Sequence, residues 1–316
     1  DSDYSDLNVV DKTPAGKDLI APFVKELREA ELKVGLYYSL LDWSHPDYPN
    51  FTSEVKRYSE DPEKRERFTR FNHGQIKELI EEYDPDLFWF DGDWEQSAEW
   101  WKAKQIREMI LSNNKDAIIN SRLQGYGDYA TPEQGLPVKA PEDKYWELCM
   151  TMNDSWGYQH NDSNYKSPSQ IIRIFAECLS MGGNMLLDIG PKADGTIPEE
   201  QVRILKELGK WTSKHSEAIY GTGAGLPPGY YYGPSSLSAD STKLYLFLDG
   251  PPADGQLMLE GVENEINRIY VVGNGTKLEY KEYLRPYWSS HSGLIFIDVP
   301  EKVLDDTMTV ICLILD

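Results

Sequence analysis

Three acidic residues raise the first chemical question in this sequence. Asp91 closes the apolar run DLFWFDG, Glu133 sits in GDYATPEQ, and Glu147 lies in KYWELCMT. A carboxylate can attack an anomeric carbon or stabilise the positive charge that develops there, and a second carboxylic acid can protonate the departing oxygen. Strand side chains alternate faces, so in FWFD the side chains of Trp89 and Asp91 point one way and Phe90 the other. An aromatic wall beside a reactive carboxylate suits the apolar C–H face of a sugar. Spacing alone leaves a plainer reading open. Asp-Gly after an apolar run is also an ordinary strand-to-loop turn, and Glu133, beside Pro132, could be a solvated loop residue.

The elements that must position these groups alternate in type. PAGKDLIAPFVKELREAEL has helical spacing with Pro14 near its start, and KVGLYYSL reads as a strand. RFTRFNHGQIKELIEEY reads as a helix and DLFWF as a strand. SAEWWKAKQIREMILSN reads as one helix and AIINS as a strand. YWELCMT and NMLLDIG read as strands, with SPSQIIRIFAECLSMG and PEEQVRILKELGKWTSKH as helices. This order implies βα units and a parallel sheet. In parallel α/β barrels the chemistry sits at the C-terminal ends of strands. Those ends supply Tyr37, Trp43 and His45, then Trp89, Asp91 and Trp94, then Arg122, with Glu133 shortly after. His45 is counted as a candidate substrate contact, the alternative being that it stiffens the turn before Pro46.

After about residue 220 the character changes. GTGAGLPPGYYYGP resembles a linker. Short β-branched runs follow, such as KLYLFLDG, INRIYVVG and TMTVICLIL, and they suggest an antiparallel β-sandwich. Two domains are expected, residues 1–222 and 223–316.

Composition narrows the partners. A formal net charge of −21 over 316 residues argues against nucleic acid and anionic membranes, and it suits a neutral substrate. The 20 Tyr and 9 Trp leave several aromatics free to line a ligand groove. Cys149, Cys178 and Cys312 are odd in number and lack metal-ligand spacing, so they read as buried small hydrophobes. No run reaches the ~18 apolar residues of a membrane span. The chain opens DSDYSD without an initiator methionine, so its compartment stays open between periplasmic, secreted and cytoplasmic.

The segments GLYYSLLDWSHPDY, DPDLFWFDGDW, AIINSR, GDYATPEQ, KYWELCMTMNDSWGY and GGNMLLDIGPKADGTIP occur in one order over roughly residues 5–222. In that order they resemble the α-L-fucosidases of glycoside hydrolase family 29. The resemblance implies a (β/α) TIM-like barrel followed by a C-terminal antiparallel β-sandwich. It also implies retaining hydrolysis of terminal α-L-fucose from a fucosylated glycan, with possible transfer to an acceptor sugar. Asp91 falls on the family's nucleophile and Glu133 on the general acid/base of well-studied bacterial members. Glu147 falls on a position proposed as acid/base in other members and is kept as the alternative. Tyr37, Trp89, Arg122 and Trp156 match positions lining the fucose pocket. No metal or organic cofactor is implied.

One departure stands out. Family members carry an earlier segment with the first two barrel strands, a His-Trp pair and a double histidine. Here His45, His73, His160, His215 and His291 lie in no such motif. Two explanations compete: the sequence is a fragment or one half of a nicked chain, or the barrel is incomplete at its N-terminus, with exposed apolar sheet that a homo-oligomer covers; the second is the expectation here. The competing functions are a fucose-binding relic without turnover and a glycosidase of altered sugar preference.

Overall fold

The FWFD alternation becomes a central strand with two different faces. The computed structural model describes residues 1–49, 61–283, 287–288 and 292–316, so His291 lies outside it. The chain divides into two compact units, Asp1–Thr131 and Pro132–Asp316.

The first unit contains α1 (Val9–Lys12), α2 (Ile20–Glu29), β1 (Gly35–Ser39), α3 (Pro62–Tyr83), β2 (Leu87–Asp91), α4 (Ala98–Trp101), α5 (Ala103–Asn113) and β3 (Ile118–Ile119). The strands form a parallel sheet in the order β1-β2-β3. Its register pairs Tyr37 with Trp89 and Ser39 with Asp91. Phe88 and Phe90 are buried on the other face, in a core with Phe68, Phe71, Ile76 and Ile80 of α3 and Ile106 and Ile110 of α5. Each such side chain contributes roughly 1.5–3 kcal/mol by leaving water, so this face fixes the strand register. Asp61 caps α3 by accepting the N–H groups of Glu63 and Lys64.

Three elements differ from expectation. α2 begins at Ile20, six residues after Pro14, because the Asp18 carboxylate accepts the N–H groups of Ile20 and Ala21 there. The expected single helix from Ser97 breaks into α4 and α5 at Lys102, whose φ is 52°. The break seats Trp101 in the core, its indole N–H donating to the Asp93 carbonyl at 2.8 Å. β3 has only two residues because a side chain takes over its ladder. The Asn120 amide donates to the Phe90 carbonyl at 2.9 Å and accepts the Phe90 N–H at 2.9 Å.

The second unit begins its regular structure with β4 (Glu147–Thr151), α6 (Pro168–Ser180), β5 (Asn184–Asp188) and α7 (Glu199–Lys214). β4 and β5 pair in parallel. Gly183, just before β5, lies against the Trp146 ring, where a Cβ would come within 2.3 Å of it. The chain continues through β6 (Thr222–Ala224), β7 (Ser235–Ser238), β8 (Lys243–Leu248), β9 (Gln256–Leu259), β10 (Ile266–Val271), β11 (Tyr280–Tyr283), β12 (Leu294–Asp298) and β13 (Thr309–Leu315). These build two antiparallel sheets, β10-β13-β8-β7-β6 and β11-β12-β9. Leu244, Leu246, Ile311 and Leu313 share one core with Leu257, Leu259, Ile295 and Ile297 of the smaller sheet. The alternate residues Tyr245, Phe247, Val310 and Cys312 face α6 and α7 and pack with Ile172, Ala176 and Trp211. The Trp211 indole donates to the Met308 carbonyl at 2.8 Å. The change of element type near residue 222 thus lies inside the second unit, because two helices before it share a core with strands after it. All three cysteines are buried, as their reading as small hydrophobes suggested.

Asn120→Ala should leave the buried Phe90 N–H and C=O without partners, at about 1–3 kcal/mol. Chemical denaturation should show a lower transition midpoint, and an unchanged midpoint would refute this role.

Candidate active site

Asp91 closes β2 on the face opposite the aromatic core. Its two carboxylate oxygens are held by different donors. Arg122 Nη1 donates to Oδ1 at 2.6 Å, and the Tyr37 hydroxyl donates to Oδ2 at 2.9 Å. The guanidinium carbon lies 4.3 Å from the centre of the Trp89 ring, close enough for a cation–π contact worth roughly 0.5–2 kcal/mol. Tyr37 stacks on Trp89 with ring centres 5.8 Å apart and planes 23° apart. Burial, reinforced by the neighbouring Asp91, pushes the Tyr37 phenol up to about 12, so it remains a proton donor at neutral pH. Each carboxylate oxygen has lone-pair capacity beyond the bond described here. The arrangement is a fixed carboxylate beside an aromatic wall, which suits attack on a sugar carbon.

The sequence positions Arg122 through its neighbours. Asn120 ties the preceding residues to β2. Asp93, buried just beyond the strand end, accepts the Gln124 N–H at 2.7 Å, and its carbonyl accepts the Gln124 amide at 2.8 Å. Burial raises the Asp93 carboxyl above its ordinary range. Gln124 and Gly125 both have positive φ, 48° and 85°, which turns the chain immediately after Arg122. Gly92 has φ 76°, and a Cβ there would meet Leu41 at 2.3 Å. The DGD segment therefore does two jobs: it turns the strand end and anchors the loop that carries Arg122.

In the second unit, Glu133 is exposed and bridges in parallel to Cys149, in the middle of β4. Two backbone bonds hold that segment to the strand, Cys149 N–H to the Pro132 carbonyl at 3.0 Å and Gln134 N–H to the Cys149 carbonyl at 2.8 Å. The Gln134 side-chain oxygen also accepts from the Thr151 N–H at 3.3 Å and the Thr151 hydroxyl at 3.2 Å. Glu147 opens β4, paired with Asn184, whereas Thr151 closes it, paired with Asp188. Trp156 lies in the loop after β4 and is 45 % exposed.

The alpha-L-fucosidase family profile matches residues 1–217. The chain belongs to the alpha-L-fucosidase family. It is 30% identical over 263 residues to an alpha-L-fucosidase of Dictyostelium discoideum, covering 78% of this chain and 55% of that protein. It is 32% identical over 217 residues to the tissue alpha-L-fucosidase of Homo sapiens, covering 65% of this chain and 45% of that one. The chain thus spans about half the length of these curated relatives. Among solved structures, alpha-L-fucosidase isoenzyme 1 from Paenibacillus thiaminolyticus superposes with a TM-score of 0.87 at 32% identity, covering 100% of this chain and 79% of that one. An alpha-L-fucosidase from Bacteroides thetaiotaomicron, trapped as a covalent intermediate with 2-fluoro-fucosyl fluoride, gives 0.87 at 25% identity, covering 100% and 75%.

Within this family member the structure gathers Tyr37, Trp89, Asp91 and Arg122 into one contact network. His45 is engaged elsewhere. Its ring lies 4.5 Å from that of Phe71 and 5.1 Å from that of Phe68, and its Nδ1 accepts the Asp47 N–H at 3.1 Å. Burial lowers its basicity. Sequence reasoning missed Asn120, Asp93 and Asp188. The second acid of DGD was a visible signal for Asp93. The acid that ends NMLLDIG was one for Asp188, which closes a strand as Asp91 does. Among the described residues no group of three or more His, Cys, Asp or Glu side chains could hold a metal ion.

Burial alone raises the Asp188 carboxyl to about 6, against an ordinary value near ~3.9. Between those values the folded chain keeps a proton that the unfolded chain releases. The associated stability is full below pH ~4 and is lost as pH rises through about 6. Asp188→Asn should therefore be more stable than the parent above that range, by about 1 kcal/mol after solvent screening of this half-buried group, and equal to it near pH ~4. Parallel unfolding midpoints across that pH range would contradict this.

Proposed function

We propose that this chain is a retaining exo-α-L-fucosidase that removes terminal α-L-fucose from glycans. The observation that carries the reading is the Asp91 carboxylate, held at a strand end between Arg122 and Tyr37 beside Trp89, in a chain matched by the family profile over residues 1–217. In the first step an Asp91 oxygen attacks the anomeric carbon while the glycosidic C–O bond breaks. The proton of Glu133 passes to the departing oxygen, leaving a glycosyl-Asp91 ester and a Glu133 carboxylate. Water then loses a proton to Glu133 and attacks the same carbon, and Asp91 leaves as the carboxylate. An acceptor sugar in place of that water gives transfer. Arg122 and Tyr37 orient Asp91, and Trp89 and Trp156 line the sugar.

Glu133 is preferred to Glu147 because it is exposed beside mid-strand Cys149, whereas Glu147 opens β4, and parallel α/β barrels work at the other strand ends. The same reading takes residues 1–222 as belonging to a (β/α) barrel and residues 223–316 as the sandwich domain.

Asp91→Gly should lose at least about 10³-fold in aryl α-L-fucoside hydrolysis and regain turnover with azide, giving fucosyl azide. Glu133→Ala should slow poor leaving groups about 10²–10⁴-fold and activated aryl fucosides much less. If Glu147→Ala shows that pattern instead, the acid/base assignment moves to Glu147. Turnover that survives Asp91→Gly without azide would refute the nucleophile.

A further inference from the structure

The steps above use Glu133 in the second unit and leave a carboxyl on the same sheet face without a task. Alternation and register place it. Leu187 and Ile189 pack with Ile171 of α6 and Ile204 of α7, so Asp188 between them points to the opposite face. In the ladder Leu186 pairs with Cys149 and Asp188 with Thr151, and Cys149 bridges in turn to Glu133. Paired residues of neighbouring strands share a face. Glu133, Cys149 and Leu186 therefore form one row, and Thr151 and Asp188 lie in the next row toward the C-terminal strand ends. Strand spacing and rise put the Cα atoms of Glu133 and Asp188 about 12 Å apart, which leaves room for a sugar ring between the two carboxyl groups. Leu186, one row below Asp188, is 39% accessible, so the face is open there.

The end of β5 is also where the loop carrying Trp156 docks. Gly190 is buried, and a Cβ on it would come within 2.8 Å of the Tyr158 nitrogen and 3.0 Å of the Gly157 carbonyl carbon. A glycine is needed for that approach. The Gly190 N–H donates to the side-chain oxygen of buried Gln201 in α7 at 3.0 Å, which fixes the turn just after Asp188. Among the described residues the Asp188 carboxyl has no hydrogen-bond or ion-pair partner, and burial alone raises it to about 6. A half-buried acid without a partner is costly unless something that binds completes it.

From this we infer that Asp188 is a sugar-binding, specificity-determining residue, whose carboxyl exchanges hydrogen bonds with one ring hydroxyl of the fucose that Glu133 and Trp156 flank. A carboxyl that keeps its proton donates as well as accepts, which matches a neutral hydroxyl group. A site built to hydrogen-bond a hydroxyl rejects the analogue that lacks it, because the protein group is then left unpaired. The inference rests on the fucosidase reading, which supplies the sugar beside Glu133, and it gives Asp188 no part in bond breaking.

The test crosses substrate with residue in the full chain. The substrates are an aryl α-L-fucoside and its three monodeoxy analogues, and the readout is kcat/KM. In the parent, removing the partner hydroxyl should cost at least about tenfold. Asp188→Ala should lose about tenfold on the intact fucoside, mainly through KM, and less than about twofold on the analogue that lacks that hydroxyl. Asp188→Ser, a second truncation, should give the same pattern if the alanine variant does not fold. Asp188→Asn keeps a donor and an acceptor and should recover most of the loss. A fall shared equally by all four substrates, the mark of a structural role, or no fall on any of them overturns the inference and leaves the hydrolase reading intact. A parent protein that hydrolyses no fucoside overturns the hydrolase reading first and the role of Asp188 with it.

Discussion

The site in the first unit depends on one ion pair. The 2.6 Å contact between Arg122 and Asp91 fixes where the carboxylate points, and the same guanidinium lies over Trp89 and near Trp94. A half-buried charge pair of this kind adds little net stability, because desolvation offsets attraction. Its value is geometric. The planar fork of arginine fixes direction as well as charge, and the aromatic faces around it restrict where the fork can lie.

The rest of the first unit serves to deliver those two side chains. β2 presents Phe88 and Phe90 to a hydrophobic core and Trp89 and Asp91 to the opposite face, so packing energy on one side holds chemistry on the other. Asn120 extends the sheet with its side chain where β3 has stopped, and the chain turns out toward Arg122 two residues later. Asp93 and Gln124 lock that turn. A small set of buried polar bonds therefore converts hydrophobic burial into a defined carboxylate position.

Much of this was legible in the sequence because it follows from fixed periodicities. The two-residue repeat of a strand is covalent geometry, so the opposite facing of Asp91 and Phe90 could be read directly. The parallel pairing of β1 with β2 and of β4 with β5, and the antiparallel strands after residue 222, followed from element order and turn residues. What escaped reading was tertiary. A left-handed Lys102 inside a good helical pattern leaves no local mark, and the Asp18 cap competes with an earlier Pro14. Asn120 resembled a strand residue because its amide replaces a backbone partner that only the folded sheet supplies. The packing of the His45 ring on Phe68 and Phe71 was likewise not readable from spacing. The order of Glu133 before Glu147 came from the resemblance to the family, since spacing alone does not rank the two acids.

The central claim is that an Asp91 oxygen bonds to the sugar. The most direct measurement is intact-mass and peptide analysis after incubation with 2-deoxy-2-fluoro-fucosyl fluoride, whose ester should accumulate because its hydrolysis is slow. One fluorofucosyl unit per chain on Asp91, within residues 78–102, is the predicted result. Label on a different carboxylate, or turnover of an unmodified fucoside without any covalent adduct at Asp91, would contradict the account.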